Sequence, residues 1–204
     1  MSTFARRQRR ELNLGIAIVV VLALGLAVSA AGYLRTSNAG LPDPPDAKPP
    51  PADSAAALVE PPGAPGPGGP FQLAALRSTV SLPQSVVDVL TTAGLRDAVR
   101  RTGLRADATT TLFALVTTDP AVVVAAYGQG MADQGLTTDR ELSMRGVTVH
   151  RTPMGTAPAR FGTAYVLYDR VVVVETTGPA ETARDVFRTT LDRQIALAPP
   201  AGGS

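Results

Sequence analysis

Between Glu11 and Arg35 the chain runs for 23 residues without a charge, LNLGIAIVVVLALGLAVSAAGYL. As a helix rising about 1.5 Å per residue, that run reaches roughly 35 Å, enough to cross a hydrocarbon core of about 30 Å. Backbone groups in lipid must be satisfied within the segment, so the run predicts a single transmembrane helix over 12–34. Arg6, Arg7, Arg9 and Arg10 precede it and only Arg35 follows closely. The positive side stays cytoplasmic, which predicts an inward N-terminus and an extracytoplasmic C-terminal domain in the cell envelope. Val28-Ser29-Ala30 also fits the small-residue pattern of a signal-peptidase site, so the alternative is a protein secreted after cleavage near Ala30. Both readings export the same domain.

Residues 35–70 contain eleven prolines, several glycines and almost no large apolar side chain. Such a composition predicts a disordered, polyproline-rich tether that lifts a domain off the bilayer. The heavy use of Ala, Val, Gly, Pro and Arg resembles coding in a high-GC bacterial genome.

The formal charge of +2 is unevenly spread. Residues 1–34 carry four Arg against Glu11, and residues 71–204 carry thirteen Arg against twelve carboxylates. The domain is therefore close to neutral, which argues against nucleic acid as a partner. The chain has no cysteine, so disulfides, thiolate nucleophiles and Cys-based zinc sites are excluded.

From 71 to 197 the pattern predicts a small α+β domain. Phe71–Val80 is ambiguous, read as a short strand. Leu82–Thr92 reads as a helix, Gly94 interrupts, and Leu95–Thr102 reads as a second short helix ended by Gly103. This passage has a superficial helix-turn-helix look, diluted by Asp97 and Asp107. Thr109–Thr117 is a buried strand by its β-branched content. Asp119-Pro120 supplies an N-cap and first-turn proline for a helix to about Gln134, with Gly128 and Gly130 inside it. Two hairpins follow. Glu141–Met144 and Val147–Arg151 flank Arg145-Gly146, and Phe161–Tyr168 and Val171–Thr177 flank Asp169-Arg170. The run Val171–Val174 reads as a central strand covered on both faces. A last helix starts after Gly178-Pro179 and presents Ala183, Val186, Phe187, Leu191 and Ile195 on one stripe. The expected architecture is a mostly antiparallel sheet with helices packed on one face. Residues 198–204 are expected to be loose.

Candidate chemistry is sparse. In the first hairpin's expected register, Glu141, Ser143, Thr148 and the single histidine, His150, share a polar face. They offer a carboxylate, a hydroxyl and a base, the parts of an envelope hydrolase. No glycine-rich elbow surrounds Ser143, and an exposed hairpin face is normally polar, so a surface pair of Glu141 with His150 is the simpler reading. No zinc, EF-hand, phosphate-loop or dinucleotide spacing is present, and no cofactor is expected. Tyr165 and Tyr168 are expected on opposite faces of one strand, one of them on an open sheet face able to hold a partner or an apolar ligand. The composite reading is a non-enzymatic, membrane-anchored adaptor or accessory subunit. Its partners would be the bilayer, through 12–34, and an envelope protein. The alternative is an exported module for lipid or another small apolar ligand.

Overall fold

The computed structural model describes residues 41, 45–46, 48–78 and 82–201. The expected membrane helix over 12–34 and the cleavage site near Ala30 lie outside the described residues. Among the described residues no helix is long and apolar enough to cross a membrane.

The described residues form an α+β fold with four helices and eight strands. In chain order these are β1 (Ala64–Pro65), β2 (Gly69–Pro70), α1 (Leu73–Ser78), α2 (Gln84–Ala93), β3 (Leu95–Arg105) and β4 (Ala108–Thr117). There follow α3 (Pro120–Asp133), β5 (Thr137–Thr138), β6 (Thr148–Arg151), β7 (Ala159–Leu167), β8 (Arg170–Gly178) and α4 (Ala180–Leu197). The sheet order is β1-β3-β4-β8-β7-β6-β5, with β2 also on β3, and each pairing is antiparallel.

Much of this follows from local chemistry. The β-branched run of β8 is central, between β4 and β7, and Val171–Val174 are all fully buried. Asp119 caps α3, its carboxylate accepting the Val122 N–H, with Pro120 in the first turn. Gly130 marks a close approach: a Cβ there would lie 2.4 Å from Pro83 and from the Ser85 hydroxyl of the α2 start. Ser85 donates to the Ala126 carbonyl at 2.8 Å, which ties α2 to α3 at that contact.

The helices occupy both faces of the sheet, not one. Phe113, Leu115, Val171 and Val173 pack under α1, α2 and α3 with Leu76, Val86, Leu90, Val123 and Met131. Leu112, Ala114, Val172 and Val174 pack on the other face with Ala183, Phe187, Leu191 and Ile195 of α4. The reason is the alternation itself: in β4 and β8 successive residues point to opposite faces, and both sets are apolar, so both must be covered.

Four local expectations are corrected. Phe71–Val80 contributes helix α1 and no strand. The segment from Leu95 is strand β3 and not a helix, because it pairs along its length with β4 through a turn at Ala106-Asp107. Both turn residues have left-handed φ, 47° and 64°, the geometry a two-residue hairpin favours. The helix-turn-helix look disappears with it. Glu141–Met144 is not a strand; only a bridge joins Met144 to Val147, and β6 pairs instead with Thr137-Thr138. The β7–β8 turn sits one residue earlier than expected, at Tyr168-Asp169, because Leu167 pairs with Arg170 and Tyr168 takes φ 56°.

The termini of the domain are also corrected. From Lys48 on, the expected tether is a docked strap. Ala57 and Leu58 are in the α4-side core, and β1 and β2 cover the outer edge of β3. Pro65, Pro67 and Pro70 lack an N–H, so this edge cannot template another strand. At the other end the tail is held as far as Ala201, whose N–H donates to the Val166 carbonyl at 2.9 Å.

Candidate functional site

The expected Glu141–Ser143–Thr148–His150 face does not assemble. Asp139, 5 % exposed, organises this loop: its carboxylate accepts the Glu141 and Leu142 N–H groups and meets Arg151 at 3.4 Å. Ser143 is buried and fully used, donating to the Asp139 carbonyl at 2.6 Å and accepting from the Val149 N–H at 3.0 Å. Glu141 turns to Arg184 of α4 at 2.6 Å. Thr148 is exposed, and its carbonyl accepts from Thr163. His150 lies against α3, its ring edge-on to Tyr127 with centroids 6.5 Å apart. Burial lowers its pKa from the ordinary histidine value. A triad needs base, nucleophile and carboxylate within hydrogen-bond reach, and these four side chains face different neighbours.

A different polar cluster lies on the α3 face. Glu175 of β8, 5 % exposed, accepts from the Tyr127 hydroxyl and from Arg160, both at 2.9 Å, and Arg160 also donates to Gln134 at 2.6 Å. Burial raises the Glu175 carboxyl, with Arg160 pulling the other way. Burial, and next the Glu175 charge, push the Tyr127 hydroxyl well up. The cluster is closed over Gly162, where a Cβ would stand 2.3 Å from the Tyr127 oxygen. Each polar group of the cluster has a partner, so it reads as a satisfied internal network.

The open feature is at the opposite face, where the strap crosses the end of α4. Lys48 donates through its ammonium to the Ala196 carbonyl, in the last turn of α4 where a cation is favoured, and accepts through its own carbonyl from the Tyr168 hydroxyl. Ser54 donates to the Asp97 carboxylate of β3. Beside the strap lies a cleft of about 320 Å³ lined by Lys48, Pro49, Pro51, Leu167, Leu197 and Pro199, among others. Leu197 and Tyr168 stay 42 % and 40 % exposed at its margin.

Tyr165 and Tyr168 therefore have separate fates. Tyr165 is buried under α4, donating to the Ala198 carbonyl at 2.7 Å and accepting from Gln194 at 3.2 Å; burial raises its pKa. Tyr168 stands in the turn next to the cleft. Among the described residues both faces of the sheet are covered, so neither tyrosine stands on an open sheet face.

Sequence reasoning missed Gln194, Arg101 and the strap. Gln194 carried a signal: it falls three residues after Leu191 on the apolar stripe of α4, and a fully buried amide must be hydrogen-bonded. Comparison with known proteins finds no matching family model, no similar curated protein and no similar solved structure.

Proposed function

We propose that this chain is a membrane-anchored envelope protein whose exported domain binds a protein partner without catalysing a reaction, and that contact is made at the cleft between strap and α4. The observation that carries the reading is the apolar cleft of about 320 Å³ with Leu197 and Tyr168 exposed beside it. A cleft of that size takes one or two anchoring side chains from a larger interface, the usual energetic centre of a protein contact. The uncharged run 12–34 supplies the anchor, and residues 35–47 give the domain reach from the bilayer. Both sheet edges are short or covered by β1, β2 and β5, so capture by strand addition is disfavoured.

One observation favours a second reading, an exported module for lipid or another small apolar ligand. The cleft volume falls at the lower end of small-molecule sites, about 300–1,000 Å³. A photo-crosslinking residue placed at Leu197, and separately at Tyr168, in the intact protein in native membranes separates the two. The partner reading expects a discrete protein adduct from both positions and none from Leu104, an exposed apolar residue on β3. Adducts to lipid alone would replace it with the ligand reading, and no adduct at either position would overturn both.

A further inference from the structure

The strap is held as grooves hold peptides. Gln194 contacts the main chain on both sides of Leu58: its Nε2 donates to the Ala57 carbonyl at 2.7 Å, and its Oε1 accepts the Val59 N–H at 2.9 Å. Arg101 donates to the Leu58 carbonyl at 2.8 Å and to the Ala55 carbonyl at 3.1 Å, and meets the Glu60 carboxylate at 2.8 Å. Leu58 itself is 2 % exposed, inserted into the core beside α4. Covering apolar surface requires only apolar side chains. A fully buried amide and a guanidinium reading main-chain groups add something else, recognition of an extended segment.

We propose that the groove between α4 and β3 is a peptide-binding site loaded by Ser54–Glu60 of its own chain, and that it accepts the same segment from a second copy, so that two copies exchange straps. The second copy is chosen because the groove's complementarity is displayed for this sequence. Small residues at 55–57 let the main chain approach Gln194 and Arg101, Leu58 anchors, and Glu60 meets Arg101. The contacts from Ser54 to Glu60 with Asp97, Arg101 and Gln194 do not depend on the covalent link at Glu60-Pro61. They form equally well between chains, as in exchange of an identical element between protomers. Which arrangement prevails is then set by effective concentration, the chain's own strap being tethered beside its groove by the β1–β3 pairing at Ala64 and Pro65. The inference stands apart from the cleft reading above, since it concerns the occupied groove and a copy of the chain.

The absence of cysteine makes a direct test available. Two full-length chains with different tags are co-expressed, one carrying Ser54→Cys and the other Asp97→Cys, the two positions that hydrogen-bond across the strap. Exchange predicts a disulfide-linked heterodimer that is lost when Leu58→Asp is added to the Ser54→Cys chain. The double variant, with both thiols in one chain, is the control for thiol geometry; if it fails to close, co-purification of the two differently tagged chains without the cysteines is the readout, again with and without Leu58→Asp. A control that closes within one chain, beside a mixture that gives no heterodimer, overturns the proposal. So does a heterodimer that survives Leu58→Asp, or an Asp97→Cys chain that links to a different protein.

Discussion

The two faces of the sheet are built by different means. Under α1, α2 and α3 the cover comes from helices that flank β3 and β4 in the chain, and one polar network, Tyr127–Glu175–Arg160, sits inside it. On the other face α4 covers part of the sheet, and Ala57 and Leu58 of the strap close more of it, beside Leu142 and Val147 of the loop before β6. The first face is completed by apolar patterning. The second adds main-chain recognition to apolar cover, with Gln194 and Arg101 holding the backbone on either side of the buried Leu58. The lesson is that a Pro- and Ala-rich stretch gains a fixed position when the body supplies buried hydrogen-bonding groups for its backbone.

The largest expected effect tests whether the two faces are equally part of the core. Leu58→Ala is expected to cost about 2–5 kcal/mol, the same range as Leu90→Ala on the opposite face, by urea unfolding of the two variants. A Leu58→Ala cost within about 0.5 kcal/mol, as at an exposed site, would place the strap outside the core. Next, Gln194→Ala should cost about 1–3 kcal/mol by the same measurement, because it leaves the Ala57 carbonyl and Val59 N–H without partners. Tyr127→Phe on the other face should cost about 1–1.5 kcal/mol, since Glu175 keeps Arg160. The Glu60 carboxylate is 74 % exposed, so Glu60→Ala is expected to cost at most about 0.5 kcal/mol, with the loss reduced further by salt.

The pH dependence separates the faces again, because His150 and Glu175 both belong to the α3 face. The folded-state pKa of His150 lies below its unfolded value of 6.5, owing to burial. Its contribution to stability is thus present above pH 6.5 and lost as pH falls through the folded value. Glu175 acts in the opposite sense. Its folded pKa is raised above 4.5 by burial, so protonating it on acidification favours the folded state. Subtracting the pH profile of a His150→Asn variant from that of the parent should leave a stability difference that shrinks as pH falls below 6.5. A difference independent of pH between 7 and 5 would contradict this account.

Legibility in the sequence tracked how local the deciding physics is. The Asp119-Pro120 start of α3, the buried run of β4, the valines of β8 and the α4 stripe are set by neighbours in the chain, and each lies where the pattern places it. β3 misled because Leu95–Arg105 has no clear period of its own; its strand state is fixed by pairing with β4. Tyr168 misled by one position, since the left-handed turn conformation is unusual for a tyrosine. The first hairpin's apolar residues Leu142, Val147 and Val149 are buried as expected, with Met144 packed against them. Asp139 holds the Leu142 segment as a loop, so the polar residues scatter. The strap was invisible for a different reason. Its apolar run, Ala55–Val59, is too short to show a period among the flanking prolines, and the groove that holds it is assembled from α4 and β3, nearly a hundred residues apart.

Hydrogen exchange of the Val59 amide in the full-length chain tests that last point most directly. Its acceptor is the buried Gln194 side chain, 135 residues away, and no local turn protects it. A docked strap predicts protection comparable with the amides of β8, lost in Gln194→Ala. Exchange at the rate of an unstructured chain in the parent protein would show that the strap is a tether after all, and that the α4 face is completed by something else.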